Sequence, residues 1–413
     1  MTMAGYGTMM RFLFSVGILF QGCDSDVKCR NDAGNEVDWY ILYKLPKVNG
    51  DGLSYLYMDE SSNGWKLSKK TINSKSGTLA NTLKPLLDFY DRKTEGFGYM
   101  LYNDQPPDPY AGPASFGHSK GVVMLDKKTG VWLSHSTPRF PTYCSKDFWP
   151  SSGGINAQTF MCVTYSYDTF KEIGLQLKYI HAYSYDSVIP TTFYNELQCV
   201  AQRSCYPKKE PWFRVMTLTS MKGRNFSSFA KYTRFGDDLY SGLIANYLKQ
   251  NLYVKSWRKN GHPLPSNCSV PHHVFNVKEV KLEGKSFRDT VDHSKWCVAP
   301  VGGWTCIADI NREVSQMKRG GGAICTKDFA VAKVFNAIIS QYEPCKLVPP
   351  HNHKVVNNLH PNVNKNKAAV PKRKRKNKQL PVAFKRAGKS ANRRKRKNIV
   401  STKVVSPQRL HYG

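Results

Sequence analysis

The amino-acid sequence predicts an α/β fold made of two related halves. The chain has 413 residues, which is more than one hydrophobic core usually supports. Short apolar runs alternate with stretches of helical spacing, a pattern typical of layered α/β folds. The tripeptide His-Ser-Lys occurs at 118–120 and again at 293–295, and each copy opens a run of strand, glycine-containing turn and strand. An internal duplication of about half the chain explains this agreement most simply.

The first half is predicted to carry one hairpin with strands and helices on either side of it. Pro46 marks the end of the first strand, because proline cannot donate to a sheet ladder. Apolar alternation and helical spacing place the elements, in chain order, as a strand over 37–46, a helix over 81–90, the hairpin from 118 to 135, a strand over 161–167 and a helix over 168–177.

The second half is predicted to begin near residue 184, where a looser stretch with three prolines starts. Proline-rich stretches of this kind commonly join two units. The same patterns place its elements as a helix over 241–250, a strand over 252–257, the second hairpin from 293, a loop at 319–322 and a helix over 327–342.

The paired tripeptides indicate a chemistry. A histidine and a lysine two residues apart point to the same face of a strand. Two copies can bring two imidazoles and two ammonium groups to one phosphate, so the candidate catalytic residues are His118, Lys120, His293 and Lys295. One histidine would attack phosphorus, the other would protonate the leaving oxygen, and the lysines would hold the phosphate oxygens. Such a set of groups would be sufficient for phosphodiester cleavage without a metal, and no cofactor is expected.

The N-terminus and the cysteines predict the secretory pathway. Arg11 precedes an apolar run at 12–20, and small residues follow at 22 and 23, as in a signal peptide over 1–23. The run is too short to cross a bilayer, so no membrane anchor is expected. Ten cysteines remain after cleavage and none forms a Cys-x-x-Cys pair, which favours disulfides over a zinc cluster. Asn225 and Asn267 lie in sequons and are candidate glycosylation sites.

Positive charge is concentrated at the C-terminus. The net charge is +31, and residues 346–413 contain 20 lysines and arginines and no acidic residue. The remainder of the chain carries 41 basic and 30 acidic residues, a net charge of +11, which suits a polyanionic substrate. The tail has no apolar periodicity, so 346–413 is predicted to be disordered. It is also a candidate for binding polyanions.

Five segments resemble the deoxyribonuclease II family. They are Val-Asp-Trp at 37–39 followed by Lys-Leu-Pro at 44–46, Phe-Gly-His-Ser-Lys-Gly at 116–121, the aromatic and basic run 229–242, Asp-His-Ser-Lys-Trp-Cys-Val at 292–298, and Arg-Gly-Gly-Gly at 319–322. The resemblance covers about Cys29 to Cys345, and the second His-Ser-Lys block is highly specific. The basic tail lies outside it.

The resemblance implies a fold and an activity. The family is similar to phospholipase D, which implies a pseudo-dimer of two α/β sandwich halves, here 24–183 and 184–345, with the paired motifs at their junction. It implies a metal-independent acid endonuclease of lysosomes or secretions that leaves 3′-phosphate and 5′-hydroxyl ends on DNA. Sequence preference is expected to be weak, since phosphate contacts carry no base information. The duplication makes the two histidines near equivalents, so which one is the nucleophile stays open.

The resemblance also implies three disulfides, Cys29–Cys162, Cys268–Cys345 and Cys306–Cys325. Proximity in the sequence suggests a fourth, Cys199–Cys205. The pairing of Cys144 and Cys297 stays open.

One departure from the wider phospholipase D pattern concerns how the imidazoles are oriented. That pattern has an aspartate seven residues after each histidine, whereas Leu125 and Pro300 occupy these positions here. The candidates for the orienting role are His135, Asp309 and Asn311.

Two other functions fit the same residues. One is a phospholipase D-like phosphodiesterase acting on a lipid or another non-DNA substrate. The other is a secreted DNA-binding protein with an inactive nuclease site, although both motifs are intact. The basic and aromatic residues of 229–234 suit contact with a nucleic-acid backbone, and an amphipathic helix with solvated lysines explains them equally well.

Overall fold

The computed structural model describes residues 26–259 and 261–345. Within these residues the fold is mixed α/β with sheets predominating. The predicted signal peptide over 1–23 and the predicted disordered tail over 346–413 lie outside the described residues. In the described part of the chain, no helix has the length and apolar character needed to cross a bilayer.

The first sheet is formed by strands from the N-terminal part of the chain. Its strands and a small preceding ribbon are β1 (Cys29–Arg30), β2 (Glu36–Val37), β3 (Trp39–Lys44), β4 (Tyr55–Asp59), β5 (Lys66–Leu67), β6 (Gly98–Asn103), β7 (Lys120–Leu125), β8 (Thr129–His135), β9 (Gln158–Ser166) and β10 (Ser184–Val188). The ribbon pairs β1 with β2, and the eight-stranded sheet has the order β10-β6-β7-β8-β9-β3-β4-β5. Every neighbouring pair in this sheet is antiparallel.

The second sheet is formed by strands from the C-terminal part. They are β11 (Phe213–Thr219), β12 (Asn225–Lys231), β13 (Leu252–Lys255), β14 (Val274–Leu282), β15 (Lys285–Arg288), β16 (Trp296–Val298), β17 (Trp304–Ala308), β18 (Gly321–Lys327) and β19 (Ile339–Glu343). The nine-stranded sheet has the order β11-β12-β18-β17-β16-β13-β14-β15, and β19 pairs with β14. The chain passes from the first sheet to the second between β10 and β11. The second half was predicted to begin near residue 184, which is the first residue of β10.

Helices cover the sheets. The α-helices of the described residues are α1 (Thr78–Asp91), α2 (Thr169–Ile180), α3 (Asn195–Ala201), α4 (Ala245–Leu248), α5 (Val314–Met317) and α6 (Phe329–Ala337). A π-helical segment over Leu239–Ile244 directly precedes α4. The N-terminus of α6 is capped by Asp328, whose carboxylate accepts hydrogen bonds from the amides of Ala330 and Val331.

The main hydrophobic core lies between the two sheets. Ile41 and Met161 of the first sheet share one cluster with Trp296 and Ile324 of the second, together with apolar residues of α2 and α6. The opposite face of the first sheet packs on α1, and that of the second packs on the segment containing α4. Because both faces are covered, the central strands are apolar at nearly every position rather than alternating.

Two element predictions in the second half were wrong. The glycine run at 320–322, predicted as a loop, begins strand β18 at Gly321. A side chain at Gly321 would collide with Ile310, and one at Gly322 would collide with the backbone of Phe229, so the glycines serve close packing of backbones. The helix predicted over 327–342 ends at Ala337, and the residues that follow form β19, because they pair with β14.

The basic and aromatic run at 229–234 is not an amphipathic helix. Its first three residues belong to β12, and Lys231 is buried, with Nζ donating to the carbonyls of residues 316, 317 and 319. Burial lowers the pKa of Lys231 to about 8. Lys231 therefore stabilises the turn before β18 and is not available for contact with a nucleic-acid backbone.

Candidate active site

The two His-Ser-Lys segments lie at equivalent places in the two sheets. β7 begins at Lys120 and lies between β6 and β8, while β16 begins one residue after Lys295 and lies between β13 and β17. The backbone amides of the two histidines reach across to the opposite sheet. His118 N donates to the Gly320 carbonyl at 2.8 Å, and His293 N donates to the Ala157 carbonyl at 2.9 Å. These backbone bonds attach each motif to the start of a strand in the other sheet.

The two imidazoles are oriented by backbone carbonyls. Nδ1 of His118 lies 2.7 Å from the carbonyl oxygen of Asp309, and Nδ1 of His293 lies 2.7 Å from that of Ser136. A carbonyl oxygen only accepts, so Nδ1 carries the hydrogen in both rings. Nε2 is then the nitrogen available for chemistry in each histidine.

The two orienting bonds are exchanged between the hairpins. When the register of each hairpin is continued by two residues, Ser119 lies opposite Ser136 and Ser294 lies opposite Asp309. Ser136 and Asp309 therefore occupy the same position in their own hairpins. Each imidazole donates to the other hairpin at that position, and this crosswise arrangement brings both motifs into one site.

The two lysines of the motifs are buried but have different partners. Lys120 Nζ forms an ion pair with the carboxylate of Asp104. Lys295 Nζ donates to the His293 carbonyl at 2.9 Å and lies 3.3 Å from Nε2 of the same histidine. The first ammonium is thus neutralised by a carboxylate, whereas the second stands directly beside an imidazole.

Asp104 is a site residue that sequence reasoning missed. It follows β6, and its amide donates to the Ser119 carbonyl at 3.2 Å. Its carboxylate contacts Lys120, lies 3.4 Å from Nη2 of Arg319 and 3.9 Å from Nε2 of His118, and the side chain is 5% exposed. A polar residue at the end of an apolar strand was the available signal, but the sequence does not say that β6 lies beside β7.

Trp257 occupies the corresponding position in the second sheet. Continuing the register of β13 and β16 places Trp257 opposite Ser294, just as Asp104 lies opposite Ser119. The indole packs edge-on against the His293 ring, with ring centroids 4.7 Å apart. Its Nε1 donates to the Thr290 carbonyl at 3.2 Å. The side chain at the position equivalent to Asp104 is therefore uncharged.

A buried network supports the His293 segment. Asp292 accepts hydrogen bonds from the Tyr43 hydroxyl at 2.6 Å and from the Ser294 amide at 3.0 Å. Lys255 Nζ lies 3.2 Å from the same carboxylate, and neither side chain of this pair is exposed. Tyr43 belongs to β3, so the network links the His293 segment to the first sheet.

Sequence analysis gave three candidates for orienting the imidazoles. In the structure, none of their side chains accepts a hydrogen bond from His118 or His293. Asp309 orients His118 through its backbone carbonyl, while its carboxylate accepts from the Gly322 amide at 3.0 Å. Burial raises the pKa of the Asp309 carboxyl to about 7. Nδ1 of His135 accepts from the Thr137 amide at 3.2 Å. Asn311 accepts from the backbone amide of Trp257 at 3.2 Å and so fixes the residue that packs on His293.

Burial controls the protonation of the site. It lowers the pKa of His118 to about 3, although the charge of Asp104 opposes the shift. The pKa of His293 lies well below its ordinary value because of burial and the charges of Lys295, Lys120 and His118. Burial and the charge of Lys120 also lower the pKa of Lys295. Both imidazoles are therefore neutral at neutral pH in the unliganded protein, and a bound phosphate would raise their pKa values.

Four disulfides stabilise the fold around the site. They are Cys29–Cys162, Cys199–Cys205, Cys268–Cys345 and Cys306–Cys325, the pairings implied by the resemblance and by proximity. Cys144 is an exposed free thiol and Cys297 a buried one. Cys268 and Cys345 lie near His273, but a disulfide leaves no thiolate for a metal.

The two sequons lie at the surface of the second sheet. Asn225 is exposed at the start of β12, and Asn267 is partly exposed before β14. Glycosylation at both asparagines stays a prediction.

Comparison with known proteins gives consistent matches. The sequence model of the deoxyribonuclease II family matches residues 28–345. Deoxyribonuclease-2-alpha of Rattus norvegicus is 40% identical over 334 residues, which are 77% of this chain and 95% of the rat protein. Plancitoxin-1 of Acanthaster planci is 38% identical over 78% of this chain and 94% of its own length. Deoxyribonuclease-2-beta of Homo sapiens is 36% identical over 78% of this chain and 92% of its own length.

Proposed function

The chain belongs to the deoxyribonuclease II family and is a deoxyribonuclease II-type endonuclease, and from that premise we propose that it cleaves DNA without a metal through a covalent phosphohistidine. We propose that His118 and His293 are the reacting groups and that Lys120 and Lys295 hold the phosphate. We further propose a pseudo-dimer of two phospholipase D-like halves, with DNA bound largely without regard to sequence.

The crosswise orientation of the imidazoles carries this proposal. Each ring is fixed at Nδ1 by a carbonyl of the other hairpin, 2.7 Å away. Both Nε2 atoms are thereby left for chemistry at one site. A ring held in this way loses little freedom when it reacts, which is how positioned groups lower a barrier.

The reaction follows from these two nitrogens. A neutral Nε2 of one histidine attacks phosphorus, the N–P bond forms, and the bond from phosphorus to the 5′ oxygen breaks. The other histidine, protonated at Nε2, gives its proton to the departing 5′ oxygen. It then takes a proton from water, which attacks phosphorus, breaks the N–P bond and releases a 3′-phosphate. General acid help of this kind contributes roughly 10²–10⁴-fold, and the ammonium groups stabilise the developing charge.

The site favours acid pH. One histidine must be protonated, yet burial holds the pKa of His118 at about 3 in the unliganded protein. The protonated form therefore becomes more abundant as the pH falls, and bound phosphate extends it to higher pH by adding negative charge. Activity is expected to rise from neutral to acid pH, which suits a lysosomal or secreted enzyme delivered by the predicted signal peptide.

A plasmid-nicking assay at acid pH with EDTA tests the proposal. Wild type is expected to nick DNA fully in the chelator, and the new 5′ ends should accept phosphate from a polynucleotide kinase without prior dephosphorylation. His118→Ala and His293→Ala are expected to lose at least about 10²-fold in rate. His262→Ala is the matched control, since His262 is exposed and outside the site.

Three results would overturn the proposal. A requirement for magnesium would remove the metal-free mechanism. Hydrolysis of phosphatidylcholine in place of DNA would favour a phosphodiesterase with another substrate. DNA binding without any nicking would indicate an inactive site.

A further inference from the structure

The two imidazoles have different charges around them at equivalent positions. On the His118 side the neighbouring strand ends in the carboxylate of Asp104, 3.9 Å from Nε2. On the His293 side the corresponding residue is the uncharged Trp257, whose ring packs on the imidazole. The ammonium of Lys295 lies 3.3 Å from Nε2 of His293. The duplication thus places one imidazole beside a negative charge and the other beside a positive one.

The charged groups around the two rings differ in sign. His118 faces the carboxylate of Asp104 and the positive charges of Lys120, Lys295 and Arg319. Two of these, Lys120 and Arg319, contact the Asp104 carboxylate. The charges that act most strongly on His293 are the positive charges of Lys295, Lys120 and His118. An opposite charge within about 4–6 Å favours a charged imidazole and a like charge opposes it.

We propose that His118 is the general acid and His293 the nucleophile, with Asp104 as the positioning residue whose negative charge favours the protonated form of His118. This assignment rests on the proposed function and completes it. Nε2 of neutral His293 forms the N–P bond, while Nε2–H of His118 gives its proton to the 5′ oxygen as the bond from phosphorus to that oxygen breaks. His118 then removes a proton from the water that releases His293.

A substrate that needs no acid separates the two roles. In thymidine 3′-(4-nitrophenyl phosphate), nitrophenolate takes the place of the 5′ oxygen and leaves without a proton. His118→Ala is expected to release about one nitrophenolate per site in a rapid burst and then to turn over slowly, because the water step still lacks its base. On DNA the same variant loses roughly 10²–10⁴-fold. His293→Ala should show no burst with either substrate.

The opposite pattern overturns the assignment. A burst in His293→Ala and none in His118→Ala would reverse the roles while leaving the two-histidine mechanism intact. No burst in either variant would contradict the assignment of separate roles, nucleophile and general acid, to the two histidines. Loss of the proposed function itself would appear differently, as wild-type cleavage of DNA that fails in EDTA.

A pH profile tests Asp104 independently of the histidine variants. Asp104→Asn removes the negative charge beside His118, so the pKa of His118 should fall and the profile of kcat/KM should move by roughly 1–3 units to lower pH. Asp104→Glu should restore most of the shift. Asp126→Asn is the matched control at the far turn of the same hairpin, where the carboxylate caps backbone amides. A lowered rate with an unmoved profile would reduce Asp104 to a structural residue.

Discussion

At the end of β6 a carboxylate lies beside His118, whereas at the end of β13 an indole lies beside His293. The backbone around the two histidines is otherwise closely matched. Each amide bonds to the residue before a strand of the other sheet, and each Nδ1 bonds to a carbonyl of the other hairpin. The matched backbone fixes where the two imidazoles lie, and burial lowers the pKa of both. The neighbouring side chains differ, because only the carboxylate of Asp104 opposes that shift.

The two motifs also differ in what supports them, and this difference predicts the largest effect. Asp292→Ala removes the partner of buried Lys255 and of the Tyr43 hydroxyl. Removing one member of a buried ion pair typically costs about 3–5 kcal/mol, so the free energy of unfolding should fall by that amount in urea denaturation.

The control for Asp292 is Asp126→Asn in the first hairpin, which should change the unfolding free energy by less than about 1 kcal/mol because its carboxylate is partly solvated. Equal losses in the two variants would contradict the role of the buried network.

Replacing either motif lysine is expected to lower kcat, and the loss is expected to be larger for the lysine that is paired with a carboxylate. Lys295→Met removes one of the two cations that we propose hold the phosphate, and kcat should fall by roughly 10²–10³-fold. For Lys120→Met, kcat should fall further, because this change also removes the buried ion-pair partner of Asp104 and leaves only the longer contact of that carboxylate with Arg319. Adding Asp104→Asn to Lys120→Met should restore part of the lost rate. If the double variant is slower than Lys120→Met alone, the ion pair between Lys120 and Asp104 does not explain the larger loss.

Much of the fold could be predicted because its signals are local. Apolar runs separated by a glycine-containing turn predict both hairpins, and the structure has strands at Lys120–Leu125 and Trp296–Val298. The spacing of leucines predicts α1 within a few residues. The pairing of His-Ser-Lys with a second copy needs no structure either, since the repeat is visible in the sequence.

The parts that could not be predicted depend on which strands become neighbours. Asp104 joins the site only because β6 lies beside β7, and no spacing in the sequence encodes that choice. The orienting carbonyls of Ser136 and Asp309 belong to the backbone, so their side chains give no signal. The glycines that begin β18 look like a loop until the backbones they touch are known.

Changing Trp257 is expected to lower kcat less than changing either motif lysine. Trp257→Phe keeps an aromatic ring beside His293 but presents a smaller packing surface and cannot donate to the Thr290 carbonyl. Aromatic pairs contribute about 0.5–1.5 kcal/mol, so kcat should fall roughly 2–10-fold with no movement of the pH profile. A shifted profile would mean that Trp257 also acts on protonation, and the contrast with Asp104 would disappear.

The smallest effect on turnover is expected from the basic tail, which we propose as a binder of polyanions. Truncation after Cys345 removes 20 lysines and arginines. The slope of log affinity for DNA against log salt concentration should become shallower by about 0.9 for each phosphate that the tail neutralises in the full chain. The value of kcat at low salt should stay unchanged. An unaltered salt slope would dismiss the tail from DNA binding.

The proposed covalent bond to His293 can be detected directly by peptide mass spectrometry. The His118→Ala variant would be mixed with thymidine 3′-(4-nitrophenyl phosphate) in EDTA and quenched in base during the burst. We expect a thymidine 3′-phosphoryl group on the peptide that contains His293, absent from His293→Ala. Nitrophenolate release without an adduct on that peptide would rule out His293 as the nucleophile.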